Sequence, residues 1–71
     1  MERMVDARGL ACPEPVLLTL KEMKKGKGQI TILVDAEVSK ENVLRAAKRE
    51  GWHVVSIERV GNDYRILIKC E

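Results

Sequence analysis

Asp6-Ala7-Arg8-Gly9-Leu10-Ala11-Cys12-Pro13-Glu14-Pro15 reads as a strand that stops, turns and feeds a helix, with a thiol at the first helical turn. Gly9 accepts backbone angles that a residue with a Cβ resists, so the turn can be tight. Pro13 suits the first helical position, where a missing N–H costs nothing and φ is already set. That spacing predicts Cys12 at or beside the N-cap. The unpaired N–H groups and positive dipole end of the helix would then favour the thiolate, which is the reactive form. Arg8 is expected to add positive charge nearby, and Glu14 to oppose it.

Working outward, Arg3 to Ala7 alternate weakly and form a short first strand. From Pro13 to Lys25 the apolar residues Val16, Leu17, Leu20 and Met23 recur at helical spacing, lysines gather in the last turn, and Gly26 ends it. Leu18 falls off that stripe and is expected to be half-buried. Gln29 to Val34 has the composition of a buried strand, and its position after a helix suggests a parallel βαβ unit closed by Asp35. In Val38-Ser39-Lys40-Glu41-Asn42-Val43, Ser39 has the chemistry of an N-cap, and the two valines stand at hydrophobic-staple spacing. The second helix then runs through Leu44, Ala46 and Ala47 to Glu50. Gly51 is placed as a left-handed cap and Trp52 to fold back on the last turn. Val54 to Val60 and Tyr64 to Cys70 are strand-like, and Gly61-Asn62-Asp63 between them is a hairpin signal. Tyr64, Ile66, Ile68 and Cys70 share the face that helices would cover.

The order is therefore βαβαββ. Right-handed crossovers put both helices on one side, giving an α/β (α+β) two-layer sandwich: a four-stranded mixed sheet with two helices on one face. The 71 residues are expected to form one domain, 1–71, too small for a deep enclosed cavity. The thiol turn, Asp35 and the Gly61-Asn62 tip belong at the carboxyl edge of the parallel strands, where open α/β sheets place their chemistry. His53 and Cys70 belong at the opposite edge, roughly 20 Å away for strands of about six residues. Cys70 is then out of disulfide reach of Cys12, and His53 is a poor general base for it.

Composition narrows the functions. One Trp, one Tyr and no Phe leave few rings on which single-stranded RNA could stack, and a net charge of +2 gives little general pull on phosphate backbones. The clusters Lys21, Lys24, Lys25, Lys27 and Arg45, Lys48, Arg49 read first as solvated helix faces, with docking of an acidic partner or tRNA as the other reading. Two Cys and one His at unrelated spacing do not make a zinc site, so no metal is expected. With no apolar stretch of signal-peptide length and none that could span a membrane, a cytoplasmic protein with reduced thiols is expected. A bare nucleophile on a small domain, without base, metal or pocket, suits a carrier that accepts and hands on sulfur while partners supply the other catalytic groups. The rival is an RNA-binding or protein-interaction module that uses the basic helix surfaces without covalent chemistry. A thiol redox protein would need a resolving cysteine near Cys12, and Cys70 is expected far from it.

The run DARGLACPEPVLLTLKEM resembles the signature of the SirA/TusA family of sulfur carriers, a Cys-Pro-x-Pro motif after an Asp-x-x-Gly-Leu turn, and the similarity extends over essentially the whole chain. The resemblance implies a sandwich like that of the C-terminal domain of bacterial translation initiation factor three, with the last strand antiparallel between the second and third. It implies that Cys12 carries a transient covalent persulfide, with no other cofactor, received from a cysteine desulfurase or rhodanese-like donor. The sulfur would pass to a downstream acceptor in tRNA thiolation, molybdenum-cofactor synthesis or sulfur and selenium metabolism. By the same matching Asp6, Arg8 and Gly9 shape the turn, and Pro13, Glu14 and Pro15 set the helix start. The protein would be a sulfurtransferase-like carrier rather than a stand-alone enzyme. Asp35-Ala36-Glu37, where tRNA-thiolating members tend to have Asp-Asp-Pro, is closest in pattern to the YedF-type branch.

Overall fold

Ile30, Ile32 and Val34 alternate along one strand and are wholly buried, which makes that strand the floor of the core. The computed structural model describes residues 3–10 and 14–70. Its elements are β1 (Arg3–Asp6), α1 (Glu14–Lys24), β2 (Gly28–Val34), α2 (Glu37–Arg49), β3 (His53–Val60) and β4 (Asp63–Cys70). The strands lie in the order β1-β2-β4-β3. β1 runs parallel to β2, and β4 runs antiparallel between β2 and β3, as the family resemblance implied.

Registers Val5↔Ile32 and Ile32↔Ile66 set apolar side chains in a row across the covered face, a cross-strand arrangement that excludes water continuously. Val43, Ala46 and Ala47 of α2, with Pro15, Thr19 and Met23 of α1, close over that row. The small alanines permit close approach of α2 to its neighbours. On the other sheet face Met4 is exposed and Leu67 half-buried, so the two helices cover one face only. No helix among the described residues is long and apolar enough to cross a membrane.

Three local expectations need correction. The α1 stripe is rotated from the one read off the apolar residues: Thr19 is fully buried, while Leu17 is 56% exposed and Leu18 is also exposed. The Thr19 hydroxyl donates to the Pro15 carbonyl oxygen at 2.8 Å, so a polar residue enters the core with its hydrogen bond made and Leu17 is turned out. Ser39 is not the N-cap of α2. That helix starts at Glu37 after an extended Ala36, without a side-chain cap, and Ser39 is buried inside it. The staple is absent as well, since Val43 is buried and Val38 is 65% exposed. The residue before Ala36 is Asp35, whose carboxylate is engaged elsewhere, so the cap is left to the backbone and the first-turn charge of Glu37.

The C-terminal end of α2 follows expectation. Gly51 has φ +83°, Trp52 N–H donates to Ala47 O at 2.8 Å and Gly51 N–H to Lys48 O at 3.2 Å. This is the paired bonding of a Schellman motif, and it buries Trp52 against the core. The β3–β4 hairpin turns through Gly61 and Asn62, with Val60 opposite Asp63.

Candidate functional site: the β1–α1 loop

The loop leaves the sheet one residue after β1. Ala7 N–H still donates to Leu33 O at 2.8 Å and Ala7 is buried, so the chain departs from a fixed point. Gly9 then takes φ +77°, the left-handed conformation expected of it. Its N–H donates to Oδ2 of Asp35 at 2.8 Å, tying the loop to the residue that follows β2.

Arg8 carries the densest polar contacts here. Its Nε donates to Asp6 Oδ1 at 3.0 Å and its Nη2 to Asp6 Oδ2 at 2.9 Å, a two-pronged fork on one carboxylate. The Arg8 backbone N–H adds a third bond to Asp6 Oδ1 at 3.2 Å. Its Nη1 reaches Asp63 Oδ2 at 3.4 Å, at the start of β4. The side-chain and backbone hydrogen bonds from Arg8 hold the Asp6 carboxyl at about 2, below its ordinary 3.8. The two carboxylates in turn push the Arg8 guanidinium further up, Asp6 first and Asp63 second. All of these groups remain partly solvated, so the cluster fixes loop geometry more than it adds stability.

This alters the role expected of Arg8. Its charge is spent on Asp6 and Asp63, and what it contributes is a mechanical tie between the loop and the β3–β4 hairpin. Asp6, Arg8, Gly9 and Leu10 line an open hollow on the surface. Glu14 is exposed in the first turn of α1, and Pro15 is buried beneath the same turn, where its carbonyl anchors Thr19. Cys12 and Pro13, the centre of the sequence motif, lie outside the described residues. Among the described residues no group of three or more His, Cys, Asp and Glu side chains gathers as metal ligands would.

His53 and Cys70 sit at the other end of the sheet. His53 opposes Lys69, and Cys70 opposes Gly28 at the start of β2, whereas Asp6 and Leu33 pair near its end. Cys70 is half-buried and packs against the core. Asp35 and Asp63 tie the loop down from outside it: the sequence places Asp35 at the edge of the thiol turn and Asp63 in the hairpin turn, but not as partners of Gly9 and Arg8. They stand 26 and 55 positions from their partners, and no local pattern signals such a pairing.

Comparison with known proteins agrees with this frame. A family model described as "Sulfurtransferase TusA" matches residues 3–70. A protein of Archaeoglobus fulgidus named "Putative sulfur carrier protein" is 37% identical over 70 residues, covering 93% of this chain and 78% of that one. A protein of Methanocaldococcus jannaschii with the same description is 34% identical over 70 residues, covering 94% and 92%. The crystal structure of a SirA-like protein from Desulfitobacterium hafniense superposes with a TM-score of 0.83 at 29% identity, covering 99% of this chain and 97% of that one. The match spans β1 to β4 and includes the whole strand, loop and helix arrangement built above, so this chain belongs to the TusA sulfurtransferase family.

Proposed function

We propose that the protein is a sulfur carrier in which Cys12 is the acceptor and donor. The Cys12 thiolate attacks the terminal sulfur of a donor's persulfide; a new S–S bond forms, the donor's S–S bond breaks, and the donor cysteine leaves as thiolate. In the second step a nucleophile of the acceptor takes the terminal sulfur, and Cys12 leaves as thiolate. Each step balances without an outside oxidant or reductant.

The observation that carries this reading is the Cys12-Pro13-Glu14-Pro15 motif inside a family match that spans residues 3–70. The fastened loop supports it, because a carrier that meets two partners in turn must present its thiol in one geometry to both. With Arg8 neutralised, favourable potential for the thiolate comes from the N-terminal amides of α1 and from whatever cationic groups the partner brings. A cysteine desulfurase or rhodanese-like protein is the donor in this scheme, and a downstream sulfur acceptor in the cytoplasm is the recipient. Asp35-Ala36-Glu37, closest in pattern to the YedF-type branch, supports placing the chain there within this proposal.

Incubation with a cysteine desulfurase and isotopically labelled cysteine, followed by intact mass, tests the proposal. One added labelled sulfur is expected in the wild type and in Cys70→Ser, and none in Cys12→Ser. Equal loading of Cys12→Ser overturns it. A mixed disulfide trapped on Cys12 in cells then identifies the recipient.

A further inference from the structure

Charge is sorted along the strand direction. Where β1 and β2 finish lie Asp6, Glu14, Asp35, Glu37 and Asp63. The cations among them are already committed, Arg8 to Asp6 and Asp63, and Lys40 to Glu37 and the Tyr64 ring. At the opposite edge both helices finish, β2 and β3 begin and β4 ends. There α1 and the turn after it supply Lys21, Lys24, Lys25 and Lys27, the last turn of α2 supplies Lys48 and Arg49, and β1 and β4 supply Arg3 and Lys69. The carboxylates of these segments are Glu22 and Glu50, and Glu22 is shared by Arg3 and Lys25.

Most of this positive charge has no task inside the fold. Among the described residues Lys21, Lys24, Lys27, Lys48 and Arg49 are exposed and form no ion pair. A helix end can use a cation for its last carbonyls, but here those carbonyls are served otherwise. The Arg3 guanidinium donates to Glu22 O and Gly26 O at the end of α1. The backbone amides of Glu50, Gly51 and Trp52 take Ala46 O, Lys48 O and Ala47 O at the end of α2. The chain's net charge of +2 also understates the local potential. The acidic end is a strand length away, roughly 20 Å, about twice the distance over which 0.1 M salt screens a charge.

The surroundings of these cations select the kind of anion. The well-exposed large apolar side chains all lie elsewhere: Leu17, Leu18 and Val38 in the first halves of the helices, the others on β1 and β3. A protein partner needs an apolar centre, where lysine is depleted. A phosphate backbone needs only positive charge. Unpaired bases need rings to stack on, yet Trp52 is buried and Tyr64 lies at the acidic end beneath Lys40 and Arg59.

We infer that the edge formed by the ends of α1 and α2 binds the backbone phosphates of a double-helical nucleic acid without regard to base sequence. A helix held there stands a strand length from the β1–α1 loop, so the loop stays open to a protein partner. On the sulfur-carrier proposal above, sulfur then reaches such a nucleic acid through a partner enzyme and not from Cys12 directly.

Fluorescence anisotropy with a labelled RNA hairpin of about 20 base pairs, titrated between about 50 and about 200 mM salt, tests this. Log affinity is expected to fall against log salt with a slope of about −4, a loss of roughly a hundredfold or more over that range. Lys24→Gln, Lys27→Gln and Lys48→Gln should each weaken binding severalfold and make the slope shallower by about 1. Arg59→Gln removes the same charge near the β3–β4 hairpin and should change neither. A DNA duplex of the same length distinguishes the two sources of helical phosphate, and binding of either supports the proposal. Polyglutamate should compete poorly. If a lysine variant fails to fold, amide shifts of the wild type on adding the hairpin decide, gathered at Lys21 to Gly28 and Lys48 to Gly51. No binding of either duplex at the lowest salt, a slope that the lysine variants leave unchanged, displacement by polyglutamate as effective as by unlabelled hairpin, or shifts gathered at the β1–α1 loop overturns the proposal. The measurement uses no sulfur donor, so its outcome is independent of the loading experiment.

Discussion

The amide of Gly9 donates to Oδ2 of Asp35 at 2.8 Å across 26 residues of sequence, joining the loop after β1 to the loop after β2. Removing that acceptor should free the loop without unfolding the domain. Asp35→Ala is expected to cost about 1 kcal/mol in urea melts, since the exposed amide can bond water instead. Sulfur loading of Cys12 should fall severalfold, and Asp35→Asn, which keeps an acceptor, should recover most of it. Unchanged loading in Asp35→Ala would mean that this bond does not set the site.

The Arg8 fork on Asp6 is expected to show in the carboxyl titration. Carbon-detected NMR should place the Asp6 midpoint at about 2 in the wild type, and Arg8→Gln should return it toward 3.8. Arg8→Lys should give an intermediate value, because an ammonium cannot make the two-pronged contact.

The same shift sets a direction for acid stability. A carboxyl with a folded value below its unfolded one contributes stability that is fully present above the unfolded value and lost as pH falls through the folded value. For Asp6 the window runs from about 4 down to about 2. Wild type minus Arg8→Gln, measured by chemical denaturation at steps across that window, should shrink toward acid. A constant difference would show that Arg8 acts through something other than Asp6.

Gly9 and Gly51 form a matched pair. Both have positive φ, +77° and +83°, and a Cβ at either position would meet nothing within 4 Å. The cost of alanine is therefore conformational alone, about 1–2 kcal/mol at each. Gly51→Ala should lower the melting temperature and leave sulfur loading of the folded protein intact. Gly9→Ala should lower the melting temperature and the sulfur loading alike, because the strain falls in the loop that leads to Cys12.

Leu17 tests the corrected helix stripe, with Ile66 of β4 as the buried reference. Ile66 is wholly buried, so Ile66→Ala should cost about 2–5 kcal/mol, enough to leave a domain of this size barely folded. Leu17→Ala, at an exposed position, should stay within about 0.5 kcal/mol by the same melts. A large loss at Leu17 would restore the stripe read from the apolar residues.

Much of the fold was legible because its signals are local. The Gly51 cap with Trp52 behind it, the Gly61-Asn62 turn and the period-two run of Tyr64, Ile66 and Ile68 each depend on residues within a few positions of one another. Ser39 misled, and the burial of Thr19 went unread, for a related reason. A hydroxyl reads as surface or cap until its surroundings are known, and Thr19 finds a partner a single helical turn back while Ser39 is buried within the first turn of α2, past the cap position. Of the site, the turn residues Asp6, Arg8 and Gly9 were legible, but the direction in which Arg8 spends its charge was not.

The chain's order of strands and helices, the glycine turn and the identity of the one motif thiol were determined by sequence alone, because backbone preference and side-chain periodicity act over a few residues. Which carboxylates hold that turn was decided only when the strands were assembled. β4 enters the sheet between β2 and β3, and that placement brings Asp63 to Arg8, while the parallel pairing of β1 with β2 brings Asp35 to Gly9. Contacts of that kind depend on how strand ends are stacked in space, a quantity that no stretch of ten residues contains.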